Sequence, residues 1–257
     1  MASNNFFKDT VVVNHKNKLS IIIPTLQEGK LLERVLSQFE KEFRKEHNIE
    51  LIVSDGGSTD ATLEFARNGA DVVIEKSGNY KQNISIGRNI GAKAATGEIL
   101  MFINADTYIA DIENFIATIR IAINQPGVAG ITCPVLVYPE EESFADKFFH
   151  SFLNIYFYTL NILRLGMGRG ECQVIKAELF KKLDGYNEKI AAGEDFDLFK
   201  RLRRYGKIAF LWNLNVFESP RRYRKSGYLR VIFLWLLNAI AVLIIKRSIL
   251  NEWKPIR

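Results

Sequence analysis

Acidic side chains stand at the ends of apolar runs in four places: Ile21-Ile-Ile-Pro-Thr-Leu-Gln-Glu28, Ile52-Val-Ser-Asp-Gly-Gly-Ser-Thr-Asp60, Ile99-Leu-Met-Phe-Ile-Asn-Ala-Asp106 and Gly193-Glu-Asp-Phe-Asp197. A carboxylate can accept hydrogen bonds from ring N–H groups and hydroxyls, ligate a hard divalent cation, or take a proton from an attacking hydroxyl. One crevice gathering all of them would suit a nucleotide, a metal ion and a nucleophile together. Each also has an ordinary structural use. Asp-Gly-Gly-Ser-Thr-Asp is turn chemistry, and Glu194-Asp195 at a helix start complements the helix dipole.

The elements that would position these residues follow from hydrophobic periodicity. Residues 19–23 read as a buried strand, Leu32, Val35, Leu36, Phe39 and Phe43 recur at helical spacing, and residues 49–53 read as a second strand. Ser58 and Asp60 are N-cap candidates for a helix closed by Gly69, followed by a strand at 72–74. An Ala/Ile-rich helix over 80–96 stops at Gly97, immediately before a strand at 99–103. This alternation predicts an α/β fold with a mostly parallel central sheet flanked by helices. Ligands bind beyond the carboxyl ends of such strands, so Glu28, Asp55 and Asp106 are expected at one edge.

The second half changes character. Residues 144–165 form an aromatic-rich helix, 166–170 read as a flexible glycine-rich loop, and 194–205 as a helix stopped by Gly206. Lys200, Arg201, Arg203, Arg204 and Lys207 are expected to form a solvated charged face with no catalytic part. With 257 residues, 47% hydrophobic and 25% charged, the chain can bury a sizeable core, and its formal charge of +6 favours an anionic partner. Cys133 and Cys172 lie far apart in sequence and offer neither a zinc site nor a disulfide framework. The N-terminal residues lack a secretory layout, so cytoplasmic residence is expected.

The order of motifs resembles the family-2 inverting glycosyltransferases of the GT-A fold, across residues 18–230. It is carried by Ser20-Ile-Ile-Ile-Pro-Thr25 with Glu28, Asp55-Gly-Gly-Ser-Thr-Asp60, Gly87-Arg-Asn-Ile-Gly91 running into Gly97-Glu98, Asn104-Ala-Asp106, and Gly193-Glu-Asp195. The resemblance implies the GT-A, or nucleotide-diphospho-sugar transferase, fold over residues 1–228. It implies transfer of a sugar from a nucleotide-diphospho-sugar to a saccharide or lipid-linked acceptor, through a hydroxyl or a phosphate. Pro24, Thr25, Glu28 and Asp55 would hold the base and ribose; Arg88, Ala105, Arg221 and Arg222 would lie along the diphosphate. Asp106 and Asn104 match the Asp-x-Asp metal motif, with an amide in place of the first carboxylate, and imply a Mg²⁺ or Mn²⁺ cofactor. Asp195 would be the base and Glu194 its support, although the two adjacent carboxylates are interchangeable at this stage.

Residues 229–257 form the remainder, an apolar helix and a basic tail. The apolar run at 231–245 is short for a membrane crossing and suits a buried or interfacial helix; with the basic run at 221–230 it points either to peripheral contact with the cytoplasmic face of a membrane, in cell-envelope glycan synthesis, or to packing against the catalytic domain or a second copy of the chain. The alternative function is a non-catalytic module of the same fold that binds a nucleotide-sugar or lipid. A dinucleotide dehydrogenase would need Gly-x-Gly-x-x-Gly after the first strand, which is absent. Nucleic acid is not expected as a partner, because the aromatics sit in long apolar runs rather than among basic residues on strands. Oligomeric state is not encoded in any motif.

Overall fold

A computed structural model describes residues 17–245. The first half runs β1 (Leu19–Thr25), α1 (Gly29–Leu36), α2 (Lys41–Glu46), β2 (Ile49–Asp55), α3 (Thr62–Gly69), β3 (Val72–Glu75), α4 (Ile84–Ala94) and β4 (Ile99–Ile103). The second half runs β5 (Tyr108–Ile109), α5 (Ile112–Ile123), β6 (Val128–Thr132), β7 (Val135–Val137), α6 (Phe144–Ile162), β8 (Cys172–Lys176) and α7 (Ala177–Lys182). It ends with α8 (Glu194–Leu202), β9 (Lys207–Phe210), β10 (Val216–Glu218), α9 (Arg221–Ser226) and α10 (Tyr228–Ile245).

A seven-stranded sheet has the order β3-β2-β1-β4-β8-β6-β9, and β5, β10 and β7 make a second, three-stranded sheet. Strands β3, β2, β1 and β4 are mutually parallel. Buried on both faces, β1, β2 and β4 read as largely continuous apolar runs, as such strands do, while β3 at the edge is only half-buried. Strand β8 breaks the pattern by pairing antiparallel to both β4 and β6. Its register sets Cys172 against Ile103, so the residues just before β8 arrive at the edge where the parallel strands end.

Several local expectations are corrected. The periodic stretch expected as one helix is two, α1 and α2, with a break around Ser37. Ser58 does not cap α3; its hydroxyl donates to Asp55, while Asp60 Oδ1 accepts from the Thr62 amide (3.1 Å). Helix α4 starts at Ile84, where the Asn83 side chain accepts from the Ile86 amide. Residues 166–170 are not a loose loop: Gly166, Gly168 and Arg169 are buried, and Asn161 clamps Met167 by two hydrogen bonds of 2.8 and 2.7 Å. The helix expected over 194–205 ends at Leu202 and tightens into a 3₁₀ turn, and Arg201 is tied down by Asp197 (2.8 Å) and two carbonyls. The two cysteines, distant in sequence, are buried free thiols in hydrogen-bonding contact. The tail beyond Ile245 lies outside the described residues.

At the opposite edge of the sheet, Glu50 ties the start of β2 to β1 and to the turn before β4. It accepts from Lys18 Nζ, Ser20 Oγ, and the Thr96 amide and hydroxyl, at 2.5–2.8 Å. Burial alone would raise its pKa, but these hydrogen bonds outweigh burial and hold it at about 2. Its folded-state pKa therefore lies below the unfolded value, so its contribution is complete above about pH 4.5 and fades as the pH falls towards 2. E50Q is expected to lower stability by about 2–3 kcal/mol at pH 7 in urea denaturation, with the difference from wild type shrinking below pH 4.5. Equal stabilities at pH 7 would remove this role.

Candidate active site

Arg88 organises the acid-lined edge. It lies on α4, whose Gly91 packs so tightly on β1 that a Cβ there would meet Ile22 Cγ2 at 2.5 Å. The guanidinium is fully buried. Nη1 donates to Glu194 Oε1 (2.7 Å), and Nη2 donates to Asn104 Oδ1 (3.0 Å) and to the Gly170 carbonyl (2.8 Å). Because guanidinium is donor-only, the bond also fixes which end of the Asn104 amide faces it.

Glu194 and Asp195 open α8 after Gly193, whose φ of +80° is the left-handed turn that a glycine adopts without strain. Glu194 is pinned by Arg88. Asp195 is held more lightly: Oδ1 accepts from the Phe196 amide (2.8 Å), and Oδ2 lies 3.7 Å from where a Cβ on Gly170 would stand. That same point is 3.3 Å from Arg88 Nη2 and 4.0 Å from Asn104 Nδ2, so these groups face one another around the bare Cα of Gly170. Desolvation, then the neighbouring Glu194 charge, push the Asp195 carboxyl up to about 7 against the opposing pull of Arg88.

Asp106 and Glu28 share Arg221. Its Nη2 lies 2.8 Å from Glu28 Oε2 and 3.2 Å from Asp106 Oδ2. Both carboxyls are raised, first by burial, and only partly relieved by Arg221. Arg222, next on α9, is half-buried and exerts the same downward pull on both. Pro24 and Thr25 end β1 at this edge, and Ala105 is buried between Asn104 and Asp106. Asp55 is there too, but its acceptor capacity is filled by its own turn and by Thr25 of β1. Oδ1 accepts from Thr25 (3.0 Å) and Ser58 (2.5 Å) hydroxyls, and Oδ2 from the Gly57 (2.8 Å) and Ser58 (2.7 Å) amides.

Three charged neighbours of the candidate site escaped sequence reading. Glu171, just before β8, lines the cavity with Asp195 and acts electrostatically on both Asp106 and Asp195. Buried Arg169 holds Glu171 (3.2 Å) and Glu218 (3.1 Å), and Glu218 also accepts from the Tyr223 hydroxyl (2.7 Å). Burial and the Glu171 charge drive the Glu218 carboxyl well up, whereas Arg169 keeps Glu171 low against its burial. The available signal was Arg169-Gly-Glu171 directly before an apolar run. It is legible only if that strand is known to run antiparallel.

A cavity of about 440 Å³ opens beside Asp195, with Arg88, Asn104, Glu171 and Glu194 on its polar side and α6 and α10 on the other. Among the described residues no group of three or more His, Cys, Asp or Glu side chains is arranged to hold a metal ion unaided.

The architecture is the GT-A fold. The model of glycosyl transferase family 2 matches residues 20–183, and the chain belongs to that family. It is similar in structure to the mannosyltransferase PcManGT of Pyrobaculum calidifontis (TM-score 0.64, 18% identity, 90% of this chain and 67% of that one). It is also similar to glucosyl-3-phosphoglycerate synthase of Mycobacterium tuberculosis (TM-score 0.61, 16% identity, 90% and 78%). In sequence it is 27% identical over 147 residues to validoxylamine A glucosyltransferase of Streptomyces hygroscopicus subsp. limoneus, covering 52% of this chain and 32% of the relative. It is 30% identical over 95 residues to the poly(ribitol-phosphate) β-N-acetylglucosaminyltransferase TarS of Staphylococcus aureus, covering 36% and 17%. The matches thus span a third or less of these curated relatives.

Because the Asp195 carboxyl is raised in the folded state, its ionisation opposes folding increasingly from about pH 4 and fully above about pH 7. D195N is therefore expected to melt at least about 3 °C higher than wild type at pH 8 and to gain less at pH 5. A lower melting temperature at pH 8 would contradict the geometry.

Proposed function

We propose that this chain is an inverting glycosyltransferase that moves a sugar from a nucleotide-diphospho-sugar to an acceptor hydroxyl or phosphate, with Asp195 as base. The observation that carries the reading is the desolvated Asp195 carboxylate at the junction of the acid-lined edge and the cavity. Its pKa of about 7 suits proton removal near neutral pH. Glu194 is committed to Arg88, which favours Asp195 over its neighbour as the base and gives Glu194 the supporting part. A non-catalytic binding module would gain nothing from a carboxylate kept at a cost to stability.

On the donor side, Pro24, Thr25 and Glu28 would meet the base and ribose, and Asp55 would act through the turn it holds. Ala105 and Arg88 would line the diphosphate, with Arg221 and Arg222 placed to meet its charge. The Pyrobaculum mannosyltransferase structure contains GDP-mannose and Mn²⁺, and TarS has been seen with UDP and with UDP-GlcNAc. A divalent cation, Mg²⁺ or Mn²⁺, fits Asp106, a partly desolvated carboxylate beside donor-binding groups; a cation carried on a diphosphate takes only one or two protein ligands. Bound there, it would offset charge on the departing diphosphate. Asn104 turns its amide oxygen to Arg88, so Asp106 is the stronger ligand of the two.

Residues 1–228 would form the transferase domain and 229–257 an appended helix and basic tail, held peripherally at the cytoplasmic face of a membrane. No helix among the described residues is long and apolar enough to cross one. Helix α6 nevertheless exposes Phe144 (87%), Phe148 (72%), Phe152 and Ile155 along one face, and α10 exposes Leu229 and Phe233. Arg224 and Tyr228 both reach Asp146 of α6, at 3.3 and 2.7 Å, bringing the basic run beside that stripe. An apolar face rimmed by cations suits an anionic bilayer surface. Relatives from Methanococcus voltae and Campylobacter jejuni carry lipid-linked acceptors in their names, which favours a cell-envelope glycan role.

Incubation with UDP-, GDP- and dTDP-sugars, with and without Mn²⁺, should release nucleotide diphosphate, with kcat/KM rising as the pH passes through about 7. D195N should lower that release about 10²- to 10⁴-fold; undiminished release would reject Asp195 as base. Wild type should sediment with phosphatidylserine-containing vesicles, and F144D/F148D should bind roughly tenfold more weakly or worse. Wild type left wholly in the supernatant would reject the membrane contact.

A further inference from the structure

Beyond Asp195 the cavity turns apolar. Its far walls include Phe152, Leu153, Tyr156 and Leu160 of α6 and Ile232 and Trp235 of α10. Its volume of about 440 Å³ lies within the range of small-molecule sites, about 300–1,000 Å³. The charged lining is confined to the end at the acid-lined edge, where Arg88 and Asp195 face each other across Gly170.

Shape and charge together restrict what this cavity takes. Aliphatic and aromatic walls reward burial of hydrocarbon and leave the polar faces of a sugar ring without partners. At the charged end, three carboxylates, Glu171, Glu194 and Asp195, meet one guanidinium, Arg88, already engaged by Glu194 at 2.7 Å. Among the described residues no lysine lines it. A phosphate monoester entering here would bring further negative charge against Glu171 and Asp195. A neutral hydroxyl would instead meet a carboxylate able to take its proton, a step that an already ionised phosphate oxygen does not need.

We infer that the acceptor is an amphiphile whose neutral hydroxyl sits directly at the end of an apolar chain, with that chain lodged between α6 and α10. This rests on the glycosyltransferase reading above and names its acceptor class. In the transfer, the acceptor O–H bond breaks and its proton passes to Asp195. The oxygen forms its bond to the anomeric carbon, and the carbon–oxygen bond to the diphosphate breaks with its electron pair leaving on the nucleotide diphosphate. The exposed apolar faces of the same two helices give the chain a route from a lipid surface.

The test measures sugar transfer by the full chain to 1-alkanols from C4 to C16 in detergent, alongside a polyprenyl monophosphate and free mono- and disaccharides. Donor binding by calorimetry is read separately. The expected result is kcat/KM rising roughly two- to fourfold per added methylene until the cavity is filled, with the phosphate and the saccharides poorer than the long alcohols. L160W, which fills the cavity, should flatten the chain-length dependence. Transfer to the phosphate or the saccharides without chain-length dependence in alcohols would overturn the inference and leave the glycosyltransferase reading standing. Absence of any nucleotide-sugar binding would overturn both.

Discussion

One buried cation holds the site together. Arg88 reaches from α4 to the end of β4 through Asn104, to the segment before β8 through the Gly170 carbonyl, and to the start of α8 through Glu194. These segments are up to 106 residues apart in sequence. A guanidinium is suited to this because its planar fork donates in several fixed directions at once and keeps its charge when buried. The burial is costly unless every partner stays in place, since removing one member of a buried pair strands the other. The same contacts that make the arrangement rigid therefore make it fragile, and they set Asp195 where it is without a strong bond to Asp195 itself.

What the sheet contributes is a single edge. Three of the four parallel strands, β1, β2 and β4, deliver Thr25, Asp55 and Asn104-Ala-Asp106 there by ending, and the antiparallel β8 delivers Glu171 there by beginning. The second sheet, through β10, adds Glu218 and then Arg221 from the helix that follows. Two directions of approach let carboxylates and guanidiniums interleave, so the edge carries a dense but largely compensated set of charges. The residual imbalance falls at Asp195 and at the Glu28–Asp106 pair, where a second cation or a reacting proton would find it.

The parallel half was legible in the sequence because β1, β2 and β4 are buried on both faces and read as largely apolar runs, each closed by an acid or a turn. The later strands were not: β7 and β10 have three residues each and β5 only two, too short for any periodicity to declare itself. Residues 166–170 looked flexible because three glycines in five residues usually mark a turn. Here the glycines leave room for the Phe199 ring, which a Cβ on Gly168 would meet at 2.7 Å, and for the groups around Gly170. Strand direction hid Glu171, since sequence carries the place of a strand more plainly than its orientation. The carboxylates of Asp55 and Asp195 looked alike in sequence and differ in the number of donors that fold around them.

That difference sets Asp55 and Glu50 apart from Asp195. Asp55 and Glu50 each accept four or more hydrogen bonds from the fold around them, and those on Glu50 outweigh its burial and hold its carboxyl at about 2. Asp195 has one backbone amide, an acidic neighbour and an apolar cavity in front of it. Its charge is under-stabilised until something enters the cavity, and the free energy withheld in the empty protein becomes available when a proton or a polarised ligand arrives. Supplying Asp195 with further donors would stabilise its charge and lower its pKa. The fold keeps it exposed to the cavity by giving the strong donors nearby to Glu194 instead.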